Sequence, residues 1–297
     1  MIEYLYLGRV AYDEGLRLQE EIAALRLAGR VDNVLLLLEH PAVLTLGRNS
    51  KRSNVLASDE MLASRGVTIH EINRGGDVTY HGPGQLVGYP IFDLHSLRNE
   101  SGSRLGPIDF VRMIEEALIR LCAVYGVRAG RIAGLTGVWC GDRANAPLDG
   151  PEGAGGLEES GGVLDKSRKI GAIGIHVSRG ITSHGFAFNI TTDLRDFQLI
   201  NPCGLDRPVT SLEKEAAEPA ALPNFEAIAH QAARQFGLVF GEQVCAVERL
   251  ADLRAQANHL SAQPADAPAP EVPEDTPLQV PREVERLRGI ADRPIRA

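Results

Sequence analysis

Two reactive side chains, Lys169 and Cys203, stand in short segments of small neighbours. Lys169 begins the run KIGAIGIHV, and Cys203 lies in the run NPCGL. A free thiol is only a few per cent ionised at neutral pH, and a nearby cation raises that fraction. An amine and a thiol in uncrowded backbone are therefore the groups that covalent acyl transfer requires. The residue types alone leave a second interpretation open, a surface charge and a small loop residue.

A second polar constellation is the segment RGGDVTYHGPGQ, from Arg74 to Gln85. The adjacent Gly75 and Gly76 allow another chain or a ligand to approach the backbone closely. The spacing of the glycines matches neither the dinucleotide-binding GxGxxG pattern nor a phosphate loop. The segment is consistent with a ligand-binding turn, and also with glycine-rich turn chemistry alone.

The apolar pattern predicts strands and helices that position these residues. A continuous apolar run such as VLLLLEH favours a buried central strand. The strands between residues 67 and 94 are separated by glycine-rich turns, which predicts a sheet built mainly from hairpins. A final amphipathic segment is predicted at residues 243–260. Strands are predicted at residues 4–7, 34–40, 42–48, 67–72, 77–81, 85–94, 137–140 and from 169 onward, and helices at residues 12–27, 58–66, 108–125 and 225–236, the last ended by Gly237.

Composition changes twice along the chain. Residues 142–168 are rich in Gly, Pro, Ala and acids and lack apolar periodicity, which predicts a mobile insertion. Residues 255–297 form a Pro- and Ala-rich segment that cannot bury enough apolar surface to order itself. We therefore predict one catalytic domain over residues 1–254 and a tail over residues 255–297.

Charge and cysteine usage exclude several classes of function. The net charge of −8 and an aromatic content of 5% argue against binding to nucleic acid. No apolar run approaches the roughly 20 residues of a membrane span. The N-terminus has no basic n-region, so we expect a cytoplasmic protein without a signal peptide. The four cysteines form no CxxC pair, which indicates free thiols rather than a zinc site or disulfides.

Several separated motifs together resemble the octanoyltransferases of lipoate biosynthesis. They occur in order, and the resemblance covers roughly residues 1–240. The insertion is longer than expected for that family, and the tail beyond about Leu260 has no counterpart in the resemblance. The motifs are LLLLEHPAVLTLGR at residues 35–48, RGGDVTYH with GPGQ at 74–85, KIGAIG at 169–174, SHGFAFN at 183–189 and NPCGL at 201–205.

The resemblance implies a fold and an activity. The fold is α+β, a mixed and largely antiparallel sheet flanked by helices, as in biotin and lipoate protein ligases. The activity is transfer of an octanoyl (or lipoyl) group from acyl carrier protein to a lysine through a cysteine thioester. The lysine belongs to lipoyl domains of 2-oxo acid dehydrogenases or to the glycine cleavage H protein. No cofactor, nucleic acid or membrane is implied.

The resemblance also implies roles for individual residues. Cys203 forms the thioester, and Lys169 lowers the pKa of that thiol and transfers protons. Small residues on adjacent strands leave a slot, which Ile173 and Phe186 line with apolar surface. His81 and His184 lie inside the motifs, where each either contacts the pocket or the catalytic pair, or packs as a structural residue. The residues implied to hold the acyl chain are Arg74, Gly75, Gly76, Asp77, Val78, Thr79, Tyr80, His81, Ala172, Ile173, Gly174, Gly185, Phe186 and Ala187.

Three other interpretations compete with this one. An ATP-dependent lipoate or biotin ligase shares the fold but requires no cysteine nucleophile, so the NPCGL motif disfavours it. A non-catalytic acyl-binding relative would be expected to lose Lys169 or Cys203. A thioesterase would use the same nucleophile and release the acyl group to water.

Overall fold

The computed structural model describes residues 1–98, 102–141, 167–201 and 207–262, with side chains as far as Leu260. The predicted insertion therefore lies outside the described residues, except for Ser167 and Arg168. Met1–Leu260 form one compact unit. The remaining unit, Ser261–Ala297, is described only at the first two residues, where the last helix ends.

Eleven strands and six α-helices are present in the described part of the chain. The strands are β1 Ile2–Arg9, β2 Asn33–Glu39, β3 Val43–Leu46, β4 Thr68–Glu71, β5 Thr79–His81, β6 Gln85–Ile91, β7 Gly130–Ile132, β8 Leu135–Cys140, β9 Arg168–Ser178, β10 Ile181–Asn189 and β11 Val244–Ala246. The helices are α1 Tyr12–Leu27, α2 Asp59–Ser64, α3 Pro107–Val124, α4 Leu212–Glu215, α5 Phe225–Phe240 and α6 Leu250–Ala262.

The main sheet has eight strands in the order β11-β1-β2-β6-β10-β9-β8-β7. Its first two pairings, β11 with β1 and β1 with β2, are parallel. The pairings from β2 to β7 are antiparallel. A smaller sheet has the order β4-β3-β5. The predicted fold class, a mixed and largely antiparallel sheet flanked by helices, is confirmed.

The prediction of one hairpin-built sheet between residues 67 and 94 is wrong. β4 pairs in parallel with β3, and β5 pairs antiparallel with the same strand. β6 instead lies between β2 and β10 in the main sheet. All seven β6 residues are buried, so this strand requires neighbours on both edges and cover on both faces. None of the β4 residues is fully buried, and this strand lies at an edge of the smaller sheet. The glycine-rich turn after His81 thus moves the chain from one sheet to the other.

Helices cover both faces of the main sheet. On one face, α3 and α5 pack over an apolar core that includes Phe110, Phe186 and Phe236. On the other face, α1 and α6 pack against β2 and β6, with Ile22 and Leu253 fully buried. The apolar periodicity of the sequence correctly predicted α1, α3 and the start of α5, where Asn224 accepts a hydrogen bond from the Ala227 amide.

The prediction that α5 ends at Gly237 is wrong, because the helix continues to Phe240. A side chain at Gly237 would clash with Val244 of β11, so the glycine permits close packing of helix and strand. The helix ends at Gly241, whose φ of 64° is the left-handed conformation typical of a C-terminal glycine.

Two further segments differ from the sequence-based expectation. The predicted amphipathic segment at residues 243–260 is a short strand, β11, followed by α6. α6 runs to Ala262 and thus crosses the predicted domain boundary at residue 254. The division of the chain into a catalytic domain and a tail stays a prediction. Arg168 was assigned to the insertion but is the first residue of β9, where its guanidinium is paired with the Glu215 carboxylate at 2.8 Å.

Candidate active site

A cavity of about 340 Å³ lies between the main sheet and the segment that follows Arg74. Residues of β6, β9 and β10 form its floor. Of the residues predicted to hold substrate, those that line it are Arg74, Gly76, Asp77, Val78, Thr79, His81, Ala172, Ile173, Gly174, Gly185, Phe186 and Ala187, together with Lys169. The structure therefore brings three separated motifs to one cavity, and the substrate contacts themselves stay predictions.

Gly75 and Tyr80 do not line this cavity. The Gly75 amide donates a hydrogen bond to the Ile175 carbonyl at 3.0 Å, which fixes the glycine loop to β9. The Tyr80 hydroxyl donates to Asp196 Oδ2 at 2.8 Å, and the Tyr80 ring packs against Phe197. Tyr80 therefore orients the segment that carries Phe197, a cavity-lining residue that the sequence did not suggest.

The β9–β10 hairpin uses its two faces differently. Ile173 pairs with Phe186 across the hairpin, and both pack against the core beneath α3 and α5. The Phe186 ring stacks on Phe236 with centroids 5.5 Å apart. Successive strand residues alternate between faces, so Ala172 and Gly174 point to the opposite side. The expectation that Ile173 and Phe186 supply the apolar lining is thus only partly met, since their side chains belong to the core.

Glycine at position 174 is required by close approach of two chains. A Cβ on Gly174 would lie 2.6 Å from the Gly75 carbonyl oxygen. The absence of a side chain therefore lets the loop after Arg74 lie directly on β9. The slot expected between small residues is partly filled by this loop, which becomes a wall of the cavity.

Lys169 lies at one end of the cavity, on the second residue of β9. Its Nζ is 4.6 Å from the centre of the Trp139 ring on the neighbouring strand β8. The Arg207 guanidinium approaches the same ring, 5.7 Å from its centre. Two cations thus share one aromatic ring, which attracts positive charge through the negative face of its π-system.

Cys203 lies outside the described residues, but the chain on both sides of it is fixed near the cavity. Before it, the Asn201 amide donates to the Asn54 carbonyl at 2.7 Å. The Asn54 side chain in turn donates to Asp77 Oδ2 at 2.7 Å. A cavity-lining carboxylate and the segment that leads to Cys203 are therefore joined through one asparagine.

After Cys203, the chain runs beside Lys169. The Lys169 amide donates to the Pro208 carbonyl at 2.9 Å, and the Thr210 amide donates to the Lys169 carbonyl at 2.9 Å. Val209, between them, lines the cavity. The backbone N–H of Lys169 is thus already satisfied and is not available to a developing oxyanion.

Arg74 is a buried structural anchor. Its Nη2 donates to the Thr45 carbonyl at 2.8 Å and to Thr45 Oγ1 at 2.9 Å. Its Nη1 donates to the Gly75 carbonyl at 3.0 Å. The side chain thus ties strand β3 to the glycine loop and leaves a positive charge beside the cavity.

A buried chain of hydrogen bonds connects His81 to the backbone beside Lys169. Gln85 Nε2 donates to the Tyr80 carbonyl at 3.1 Å and to Asn189 Oδ1 at 2.9 Å. Asn189 Nδ2 donates to the Thr210 carbonyl at 2.9 Å. Because both carbonyl groups can only accept, the Gln85 amide is fixed with Oε1 toward His81 Nδ1, 2.8 Å away. His81 therefore carries its proton on Nδ1.

Histidine and tyrosine rings continue this network beneath α1. His40 Nδ1 donates to the Val10 carbonyl at 2.7 Å, and the Tyr89 hydroxyl bonds to His40 Nε2 at 2.7 Å. Burial lowers the pKa of His40 to about 4 and that of His81 to about 3. Both rings are uncharged at neutral pH. His40 therefore holds β2, β6 and the chain before α1 together.

The three cysteines that the structure describes are poor candidates for a nucleophile. Cys122 and Cys140 are buried, and burial raises the pKa of both thiols, that of Cys140 to about 12. Cys245 is half-buried on β11, away from the cavity-lining residues.

The described ranges contain no group of three or more His, Cys, Asp or Glu side chains placed to bind a metal. None of their helices is both long and apolar enough to span a membrane.

Sequence reasoning missed part of the cavity wall. Gln85 and Asn189 lie inside recognised motifs. Each is a polar residue in an otherwise apolar strand, and this pattern could have identified them as cavity residues. Phe197 and Val209 gave none, because they lie in irregular segments. The lining residues that were not predicted are Tyr12, Gln85, Val87, Tyr89, residues 134–136, Ile170, Asn189, Phe197 and Val209.

Solved structures define the class of fold. The bipartite lipoate protein ligase of Thermoplasma acidophilum superposes with a TM-score of 0.58 at 15% identity, over 88% of this chain and 92% of the other. A lipoate-protein ligase A bound with ATP gives a TM-score of 0.56 at 15% identity, over 88% and 94%. The chain thus has the fold of the lipoate-protein ligases.

Sequence comparison then gives the family. The lipoyl protein ligase A/B catalytic domain matches residues 11–236, and the chain belongs to this family. An octanoyltransferase of Acidobacterium capsulatum is 59% identical over 256 residues, 85% of this chain and 96% of the relative. An octanoyltransferase of Koribacter versatilis is 44% identical over 288 residues, 97% of each chain. The chain is accordingly an enzyme of the acyltransferase class.

Proposed function

We propose that this enzyme transfers an octanoyl group from acyl carrier protein to a lysine of lipoyl domains, through a thioester on Cys203. The observation that carries the proposal is the convergence of Lys169 and both flanks of the Cys203 segment on one cavity. The names of the similar octanoyltransferases support the octanoyl group. The structure of a lipoate protein ligase studied with its E2 lipoyl domain supports a lipoyl-domain acceptor.

Chain length allows Cys203 to meet Lys169. Two residues of extended chain span at most about 7 Å, so Cys203 stays near Asn201, which is bonded to Asn54. Four residues separate it from Arg207, or at most about 14 Å of chain. Arg207 and Lys169 lie over the same Trp139 ring. Both constraints permit a thiol at the Lys169 end of the cavity.

In the first half-reaction, the Cys203 thiolate attacks the thioester carbonyl of the donor. The new C–S bond forms as the bond to the phosphopantetheine sulfur breaks, and the departing thiolate takes a proton from the Lys169 ammonium. One thioester replaces another at similar energy, so positioning and the thiolate fraction supply most of the rate.

In the second half-reaction, the neutral amine of the acceptor lysine attacks the Cys203 thioester. The amide bond forms, Cys203 leaves as thiolate, and the Lys169 amine accepts the proton that the attacking nitrogen loses. The resting pair of thiolate and ammonium is restored. An oxyanion donor is needed in both steps, and a backbone amide of β9 beyond Lys169, or one near Cys203, is the expected group.

Intact-protein mass spectrometry tests the proposal. Wild-type enzyme, incubated with octanoyl-acyl carrier protein and no acceptor, is expected to gain one octanoyl group that hydroxylamine removes. Cys203→Ala is expected to gain none, and Cys245→Ala, a matched control, is expected to behave as wild type. Adduct formation by Cys203→Ala at the wild-type rate would exclude the thioester mechanism.

The role of Lys169 is tested on the same proteins. Removing the ammonium should raise the pKa of the Cys203 thiol, so that alkylation by iodoacetamide shifts to higher pH in Lys169→Met. Lys214→Met, a substitution on α4, is the matched control. An unchanged pH profile in Lys169→Met would remove Lys169 from the assigned role. Transfer that depends on ATP and free octanoate would favour a ligase, and release of octanoate to water a thioesterase.

A further inference from the structure

His184 separates the cavity from a second depression in the surface. This depression, the α1 groove, has a volume of about 650 Å³ and lies between α1, the Glu71–Asn73 segment and the start of β10. Its wall is mixed, because Leu16, Ala23 and Ile72 are apolar whereas Glu20, Arg48 and Glu71 are charged. Among the described residues, His184 lines both the cavity and the α1 groove.

His184 stands at the end of the cavity opposite Lys169. In the hairpin register it pairs with Ile175, while Gly185 pairs with Gly174. The Lys169 side chain extends along the strand, because its Cε and the Gly171 carbonyl oxygen lie 3.4 Å and 2.6 Å from the same point, the Cβ position of Gly137. Four residues of strand separate Gly171 from Ile175, which corresponds to about 13 Å along β9. An acyl chain attached near Lys169 and extended along the hairpin therefore approaches His184 with its methyl end.

The position of the His184 side chain is tightly fixed. Its backbone has φ of 55°, a left-handed conformation that is uncommon for residues other than glycine. The His184 amide donates to Gln19 Oε1 at 2.7 Å, and Nε2 donates to Asn73 Oδ1 at 2.8 Å. Contacts from α1 and from the Glu71–Asn73 segment thus hold a conformation that the chain would not adopt alone.

We propose that His184 determines the longest acyl chain that the enzyme accepts, by closing the cavity against the α1 groove. The inference rests on the proposed function, in which the cavity holds the acyl group. A longer chain must displace a ring that is held by the hydrogen bond from Nε2 to Asn73, on a backbone that is held by the hydrogen bond to Gln19. Beyond that ring, Leu16, Ala23 and Ile72 offer an apolar surface for further methylene groups.

The variant His184→Gly tests this role with little risk to the fold, because glycine favours the positive φ at this position. Rates of transfer are measured with acyl carrier protein loaded with straight chains from hexanoyl to myristoyl. The expected result is a rise of about tenfold or more in kcat/KM for donors longer than the wild-type limit. The octanoyl rate of the variant reports whether the remainder of the site is intact.

Two matched variants show whether the α1 groove receives the extra carbons. Ser183→Ala changes a residue that lines the groove alone, and its chain-length profile should equal that of wild type. In His184→Gly combined with Ala23→Phe, the added ring covers part of the apolar wall of the groove, and the limit should move back toward that of wild type. If His184→Gly is unfolded, His184→Asn replaces it, because asparagine also tolerates positive φ. The chain-length limit of His184→Asn should increase by less than that expected for His184→Gly.

The outcomes separate this inference from the proposed function. Wild type that transfers no octanoyl group would overturn the proposed function. Wild type that transfers octanoyl, together with a folded His184→Gly whose chain-length limit is unchanged, would overturn the role of His184 alone. A longer chain-length limit in His184→Gly that Ala23→Phe fails to reverse would also overturn the proposed role of His184. The end of the acyl chain would then follow a path other than the α1 groove.

Discussion

On the side of α3 and α5, the β9–β10 hairpin presents Ile173 and Phe186 to an apolar core, whereas the opposite side presents Ala172 and Gly174 to the cavity. The first side is held together by packing of large apolar side chains. The second is held by buried hydrogen bonds among Arg, His, Gln, Asn and Tyr side chains. Period-two alternation in one hairpin thus provides both the stability of the domain and an opening for a ligand.

The largest expected effect is on the stability of the apolar side. Phe236→Ala removes a fully buried ring that stacks on Phe186 and Phe240. Such a truncation lowers the free energy of unfolding by about 3–5 kcal/mol. Urea denaturation measures the loss, and transfer activity per folded molecule should change little. If the free energy of unfolding of Phe236→Ala equalled that of wild type, the core beneath α5 would not be the main support of the hairpin.

A smaller effect, on activity, is expected on the cavity side. Ala172→Leu adds methyl groups beside the cavity, which should reduce kcat/KM for the octanoyl donor by about tenfold to a hundredfold. Stability should stay within about 1 kcal/mol of wild type, since the residue is only half-buried. The two-sided description would be contradicted if Ala172→Leu unfolded the protein as readily as Phe236→Ala.

The last expected effect is the response to pH, which is gradual and is shared among several histidines. Burial lowers the pKa of His40 and His184 to about 4 and that of His81 to about 3, below the value near 6.5 of an unfolded chain. Protonation then favours the unfolded state, so stability falls as pH decreases from about 6.5 toward 4. Each histidine contributes about 1.4 kcal/mol per pH unit within that window.

This response can be measured by urea denaturation at several pH values between neutral and mildly acidic. In His40→Gln, one contributor is removed, and the slope of stability against pH should decrease by about the amount of a single histidine. Phe236→Ala should keep the wild-type slope, because its contacts carry no titrating group. An equal slope in His40→Gln would mean that His40 is not kept neutral by burial.

The sequence predicted the strands, helices and motifs of the hairpin because local periodicity and residue size determine them. It did not predict that β6 leaves the sheet of β3 and β5, since the partners of β6 in β2 and β10 are distant in sequence. The cavity floor of small residues was readable from KIGAIG and SHGFAFN. Tyr12 and Phe197 were not, because an aromatic residue in a helix or loop is equally compatible with ordinary packing.

Trp139 is the single tryptophan of the chain, and it lies beneath the Lys169 ammonium and the Arg207 guanidinium. Indole emission responds to charges in van der Waals range of the ring. If an acyl group arriving at this end of the cavity displaces either cation or changes its protonation, the emission should change with it. The protein therefore contains a native optical probe, free of background from other tryptophans, with which acylation could be followed in real time without any label.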